Sequence, residues 1–146
     1  MKTKLKKYSI LAGVAALPLY ACVVIAFEAG LLYLQPTWKG TLVLTTEDAS
    51  GTHRQRVISG LLFEDALYIR ANHWPREWYY EALETPRVMV DRGEGPVRYL
   101  AVPVTGEEEA RVNDWHRIRL KWRILTGFPP LKLLRLDPLP DQEQLP

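Results

Sequence analysis

Apolar residues divide the chain into one uninterrupted apolar run near the N-terminus and a longer region of short, alternating segments. Residues 8–27 (YSILAGVAALPLYACVVIAF) carry no charge, and a helix needs about 20 apolar residues to cross a bilayer. From Gly40 onward, apolar and polar residues alternate over stretches that are typical of strands with one buried face. The pattern therefore predicts one membrane helix followed by a mainly β domain.

The apolar run has two further interpretations. A cleaved signal peptide also places a basic segment before an apolar one, but this run is long for a signal peptide and no small-x-small site follows it. Residues 19–22 (LYAC) faintly resemble a lipoprotein cleavage box, in which Tyr20 fits poorly. We favour a membrane anchor in the lipid bilayer over residues 8–27, after a basic head at residues 1–7 and before a connector at residues 28–39.

The basic head also bears on orientation. It contains four lysines, whereas Glu28 follows the run and the next cation is Lys39. The positive-inside rule counts Lys and Arg near the ends of a span. It predicts a single-pass protein with a cytoplasmic N-terminus, and of the two sides that remain open for the domain it favours the outer face of the membrane.

Period-two patterns and turn residues predict six strands in the domain. They are Thr41–Thr46, His53–Phe63, Ala66–Ala71, Arg87–Arg92, Pro96–Thr105 and Lys132–Leu136. Strands that are joined by short turns are antiparallel, and closure into a barrel removes exposed edges. We therefore expect a small antiparallel barrel over residues 40–138, mainly β with α, with a loose tail at residues 139–146.

Two helices are predicted within the barrel sequence. Pro75 suits the first turn of a short helix, and Pro86 ends that helix. Its Trp and Tyr side chains are able to cap a core or to wall a pocket for a flat ring. The second helix begins after Thr105, and four of its apolar residues recur at spacings of three and four, which predicts one continuous helix with a buried stripe: Trp115, Ile118, Trp122 and Leu125.

Composition excludes several functions. The net charge is +2, but the four lysines of the basic head leave −2 for the rest of the chain, which is poor support for nucleic-acid binding. The three histidines are scattered and Cys22 lies in the apolar run, so neither a metal site nor an internal disulfide is predicted. No nucleophile-elbow sequence and no glycine-rich phosphate loop are present.

One candidate anion site remains. Ser50 and Gly51 form a turn whose N–H groups are able to face an anion, and Arg54 and Arg56 share one face of the following strand. Such a group can hold phosphate or carboxylate, although a solvated strand end has the same pattern. The aromatic helix follows the neighbouring strand, so together they predict an anion holder beside an aromatic wall.

These motifs resemble those of the deazaflavin-dependent nitroreductase family, a branch of the flavin-reductase-like split β-barrels. The family's second strand follows a Thr-Thr-…-Ser-Gly-x-x-Arg turn, and residues 45–54 read TTEDASGTHR. The family then has a Trp-Tyr-His-Asn-…-Asn-Pro-x-Val helix, and residues 78–88 read WYYEALETPRV. The resemblance spans roughly residues 41–138 and implies a split β-barrel fold.

The resemblance also implies a function and its residues. A bound 8-hydroxy-5-deazaflavin coenzyme or FMN would pass a hydride to a small-molecule or quinone-like acceptor. Four residues would hold its phosphate: Ser50, Gly51, Arg54 and Arg56. Four would line its ring: Asn72, Trp74, Trp78 and Tyr79. The alternative is a non-catalytic binding module that has lost the cofactor, which the acids Glu47, Asp48 and Glu81 favour because they replace other residue types of the family pattern.

Overall fold

The computed structural model describes residues 2–34, 40–74 and 76–140, with side chains from residue 14 onward. The predictions for Pro75, residues 35–39 and residues 141–146 lie outside the described residues. The elements in chain order are α1 (Lys2–Leu34), β1 (Thr41–Glu47), β2 (His53–Phe63), β3 (Ala66–Ala71), α2 (Glu77–Glu84), β4 (Arg87–Asp91), β5 (Pro96–Val104), α3 (Gly106–Trp115), α4 (Leu120–Leu125) and β6 (Lys132–Pro138).

The six strands close into a barrel in the order β1-β2-β3-β6-β5-β4. Every neighbouring pair is antiparallel, including β1 with β4, the pair that completes the barrel. Strands β2 and β3 begin and end at the predicted residues, and the ends of the other four differ by one or two residues. The predicted antiparallel six-stranded barrel is therefore confirmed.

Alternation along the strands produces two apolar clusters. Leu44, Ile69 and Val90 belong to the cluster in the barrel interior, which α2 closes with Ala82. On the outside of the barrel, the second cluster of buried side chains includes Val112 of α3. Strand β3 is consequently covered on both faces, and this explains why it reads as a nearly continuous apolar run.

The long helix predicted after Thr105 is wrong, because the structure breaks it into α3 and α4. His116 ends α3 at φ −120° and ψ 76°, and Arg119 is extended at φ −61° and ψ 141°. Arg70 of β3 donates a hydrogen bond to the His116 carbonyl over 3.0 Å and so fixes the chain where the helix ends. The predicted buried stripe is also wrong, since Trp115 is 52% and Trp122 is 43% exposed.

Helix α1 is longer than predicted. It continues through Pro18 and past Phe27, so that residues 28–34, which we expected to be a connector, are helical. Its segment Val14–Leu34 is long and apolar enough to cross a membrane, a property that signal sequences share. The helix also contacts α4, because Tyr20 Oη donates a hydrogen bond to the Ile124 carbonyl over 2.7 Å.

Candidate functional site

The turn between β1 and β2 is organised around the Asp48 carboxylate. Its Oδ1 accepts hydrogen bonds from the backbone N–H of Ser50 over 2.8 Å and of Thr52 over 3.0 Å, and from the Ser50 hydroxyl over 2.5 Å. Gly51 adopts φ +81°, which a side chain would disfavour. These hydrogen bonds, led by the Ser50 hydroxyl, lower the pKa of Asp48 to about 2. Ser50 thus already binds a carboxylate of the chain itself, and the Gly51 N–H donates to the main-chain carbonyl of Asp48 over 2.9 Å.

Arg54 is surrounded by acids. Its guanidinium lies 3.3 Å from Asp48, 3.1 Å from Glu77 and 3.6 Å from Glu81 in the respective N–O contacts. The buried Glu81 also accepts a hydrogen bond of 2.5 Å from the Thr46 hydroxyl. The β1–β2 turn and α2 therefore supply three carboxylates to one arginine, which leaves its charge compensated without a ligand.

A cavity of about 810 Å³ lies elsewhere, lined by the last turns of α1 and by residues of β2 and β3. We refer to it as the α1–barrel cavity. Phe27, Leu31 and Leu32 of α1 form one wall, and Arg56 and Ile58 of β2 lie in its lining. Its volume is within the range of about 300–1,000 Å³ that is common for small-molecule and cofactor sites.

Arg70 lines this cavity and is only 8% exposed. Its Nη1 donates to the His116 carbonyl and lies 3.2 Å from His116 Nδ1. Its Nε and Nη2 are buried without a hydrogen-bond partner in the part of the chain that the structure describes. Burial lowers the pKa of Arg70, and the pKa of His116 is lowered by burial first and by Arg70 second. A buried guanidinium with unused donors is complementary to an anion.

Aromatic side chains supply another part of the lining. Trp74 lies under the Arg76 guanidinium, 4.4 Å from ring centroid to Cζ, and its backbone N–H donates to Glu28 Oε2 over 3.2 Å. Trp78 is half-buried, lines the cavity and packs against the interior core. Tyr79 is instead part of that core and meets Trp78 edge-on at 6.2 Å between centroids.

The eight predicted site residues therefore occupy three places. Four line the α1–barrel cavity: Arg56, Asn72, Trp74 and Trp78. Three lie in or beside the β1–β2 turn, where the chain's own acids meet them: Ser50, Gly51 and Arg54. Tyr79 lies in the core of the barrel.

Sequence reasoning missed Arg70, His116 and the α1 residues of the cavity wall. Arg70 carried a usable signal, because it is the one charge in the apolar β3 run ALYIRA. An arginine in a strand that is covered on both faces needs a polar partner or a ligand. The contribution of α1 carried no such signal, because it depends on how that helix packs against the barrel.

Solved structures share this fold at low sequence identity. A chain described as a domain-swapped dimer aligns with a TM-score of 0.55 and 16% identity over 69% of this chain and 82% of its own. A structure described as an F420-H2 dependent reductase aligns with a TM-score of 0.51 and 16% identity, over 68% of this chain and 95% of its own. A protein of unknown function from Agrobacterium tumefaciens aligns with a TM-score of 0.52 and 18% identity over 67% of this chain and 47% of its own.

No protein-family model and no curated protein matches the sequence. At these identities the structural likeness establishes the fold alone. The class that the fold defines is the split β-barrel, here with an additional apolar helix that lies before the first strand.

Proposed function

We propose that this protein is a membrane-anchored oxidoreductase that binds a flavin-type cofactor, either the 8-hydroxy-5-deazaflavin coenzyme or FMN, in the α1–barrel cavity. The observation that carries the proposal is the buried Arg70, whose unused guanidinium donors lie in a cavity that Trp74 and Trp78 also line. An anionic tail and a flat ring are the two parts that such a cavity fits. The structural likeness to an F420-H2 dependent reductase supports the same class of cofactor.

Each group in the cavity has a part in this proposal. Arg70 would hold the phosphate, Arg56 would add a second positive charge to the lining, and Trp74 and Trp78 would contact the ring, with Asn72 beside them. The cofactor supplies the hydride chemistry, so the protein needs only to bind, orient and exclude water. For this reason the site requires no side chain that acts as an acid or a base.

Arg56 suits this role because no ion pair joins it to a carboxylate within the described residues, in contrast to Arg54. Five arginines line the cavity, and Glu28 is the one carboxylate in its described lining. The surplus of positive charge favours an anionic ligand. The phosphate would consequently lie at Arg70 in this cavity and not at the Ser50–Arg54 segment.

The acceptor would be a quinone or another lipophilic molecule. Phe27, Leu31 and Leu32 give the cavity an apolar wall that belongs to the anchor itself. A molecule dissolved in the bilayer would then reach the site along α1. Reduction of a short-chain quinone, compared with a water-soluble nitro compound of similar potential, tests this choice.

A titration of the full chain in a lipid nanodisc tests the cofactor. FMN and the deazaflavin coenzyme are added separately, and the change in their absorbance is recorded. We expect binding of one of them and its loss in Arg70→Met, whereas Arg87→Met, which replaces an exposed arginine outside the cavity, keeps the wild-type affinity. If neither compound binds at high micromolar concentration, the redox proposal is wrong.

The second candidate is a binding module without a cofactor. It is favoured by the β1–β2 turn, where the Asp48 carboxylate accepts the hydrogen bonds of the backbone donors and three carboxylates form ion pairs with Arg54. In this candidate the cavity would bind an anionic amphiphile without any reaction. A folded protein that binds neither cofactor in the titration would support it.

The orientation is part of the proposal. With the four lysines of the head on the cytoplasmic side, the domain would lie on the outer face. A reporter that is active only outside the cytoplasm, fused after Pro146, tests this. Activity of a cytoplasmic reporter at the same position would reverse the orientation and would favour the deazaflavin coenzyme.

A further inference from the structure

Helix α4 and the loop after it form a surface that is both apolar and basic. Leu120 is 65%, Ile124 44% and Phe128 49% exposed, and no residue of α4 is buried. Four cations lie in or just before the helix: Arg117, Arg119, Lys121 and Arg123. No acid occurs between Asp114 and Asp137. A short helix that exposes several large apolar side chains amid cations is typical of an element at a membrane surface.

This surface lies against the helix that we propose as the anchor. Phe27 and Trp122 are in contact, with ring centroids 5.8 Å apart. Gly127, at φ +69°, approaches α1 so closely that a Cβ there would lie 2.9 Å from Val24 Cγ1. Together with the hydrogen bond from Tyr20 to the Ile124 carbonyl, these contacts join α4 to α1 between residues 20 and 27.

The position of these contacts sets the depth of α4. Residues 8–27 span about 30 Å as a helix, and Tyr20 to Phe27 occupies the last 10 Å or so. An interfacial helix lies about 5–10 Å into the boundary between headgroups and acyl chains. The contacts of α4 thus lie at the depth where such a helix belongs.

If α4 did not contact the membrane, too little of α1 would remain to cross the bilayer. If α4 stayed in water, Tyr20 and the residues after it would stay in water as well. The charge-free run would then shrink to residues 8–19, which cover about 18 Å, well short of a hydrocarbon core of about 30 Å. Glu28, whose carboxylate bonds to Trp74 at the barrel, is the first charged residue after the run.

We propose that α4 and the loop to Phe128 form a second membrane contact, with Leu120, Ile124 and Phe128 in the interface and Lys121, the cation of this segment outside the cavity lining, bound to an anionic lipid headgroup. This inference rests on the proposed anchor and not on the proposed cofactor.

Spin labels on the full chain test the proposal. In a Cys22→Ala background, which removes the sole cysteine, a nitroxide is attached to Leu120→Cys, Ile124→Cys, Leu17→Cys or Leu62→Cys. Leu17 is an exposed residue of α1, and Leu62 is an exposed residue of β2. The protein is reconstituted in phosphatidylcholine vesicles with phosphatidylglycerol, and collisions with oxygen and with a water-soluble nickel chelate are compared.

We expect the ratio of oxygen to nickel collisions to be several-fold higher at positions 17, 120 and 124 than at position 62. A high ratio at 17 with low ratios at 120 and 124 would overturn the α4 contact and leave the anchor standing. Low ratios at all four positions would overturn both the α4 contact and the membrane anchor. A high ratio at position 62 would also overturn the proposal, because burial would not be specific to α4.

Charge reversal tests the lipid headgroups. Lys121 is exposed and lies outside the cavity lining, so Lys121→Glu leaves the proposed cofactor site intact. We expect it to lower the ratio at position 124 in vesicles with phosphatidylglycerol but not in pure phosphatidylcholine. The control is Arg92→Glu, which makes the same charge change in the β4–β5 turn and is expected to have no effect. Equal effects of the two variants would refute the role of Lys121.

Discussion

Arg54 and Arg70 lie on adjacent strands of the barrel, yet their surroundings are opposite. Arg54 lies within 3.6 Å of three carboxylates and is partly exposed. Arg70 is buried, binds only His116, and has two guanidinium nitrogens without a hydrogen bond in the described part of the chain. The arginine that matches a family motif is thus compensated by the protein, whereas the arginine outside any motif has capacity for a ligand. A sequence motif shows where a charged residue occurs, but the residues around it in the structure determine whether its charge is available to a ligand.

The largest effect is expected from Trp78→Ala, which removes a side chain shared by the cavity and the interior core. We expect a loss of about 3 kcal/mol in the free energy of unfolding, at the low end for such a truncation because the side chain is only half-buried. Cofactor binding should fall as well. Thermal and urea unfolding measure the first effect. A variant that unfolds normally but no longer binds cofactor would show that packing is the smaller role of Trp78.

The Arg70→Met variant tests whether Arg70, and not Arg54, binds the cofactor. We expect the affinity for an anionic cofactor to fall by about 1.5–3 kcal/mol, the range for a hydrogen bond to a charged group. We expect little net change in the free energy of unfolding, because removal of a buried charge without a carboxylate partner offsets the lost hydrogen bond to the His116 carbonyl. Isothermal titration and thermal unfolding of the same preparation are the measurements. A strongly destabilised Arg70→Met would mean that its bond to His116 matters more than its unused donors.

Arg54→Met is the matched counterpart and should give the reverse result. Cofactor affinity should stay unchanged, because Asp48, Glu77 and Glu81 already surround the guanidinium. Stability should fall by about 1 kcal/mol, since the ion pairs are partly exposed and screened. If titration instead shows a tenfold loss of affinity, the phosphate lies at the β1–β2 turn, and the contrast between the two arginines fails.

The pH dependence of stability gives the smallest effect and distinguishes the two regions. In the folded protein the pKa of His116 lies below its ordinary value of 6.5. As the pH falls below 6.5, His116 is therefore protonated in the unfolded chain before it is protonated in the folded one, and the free energy of unfolding decreases. The pKa of Asp48 falls from 3.8 to about 2, so its contribution is present above 3.8 and is lost as the pH falls toward 2. Unfolding measured from about pH 7 to about pH 4.5, in wild type and His116→Gln, isolates the first process. Identical pH profiles would refute it.

The sequence predicted the strands well because local signals determine them. Strand β2 lies between the Gly51 turn and the Glu64–Asp65 turn, and these two turns define both of its ends. The break at His116 was not predictable in this way, because it depends on Arg70, which is 46 residues away. The ion pair between Arg54 and Glu81 likewise depends on how α2 packs on the barrel. Local elements could therefore be predicted, but the partners of the charged side chains could not.

The wall that α1 contributes to the cavity couples two events that are usually considered separately. A ligand bound in the cavity would touch Phe27 and Leu31 on one side and the barrel on the other, because all of these line it, and it would therefore favour the arrangement in which α1 is docked. Linkage is reciprocal, and docking of α1 must raise the ligand's affinity by the same factor. A fragment that begins at Gly40 would lack this wall, and a detergent that competes for α1 would act as an inhibitor. If α1 is the proposed anchor, the lipid around it would in that sense be an allosteric effector of the proposed site.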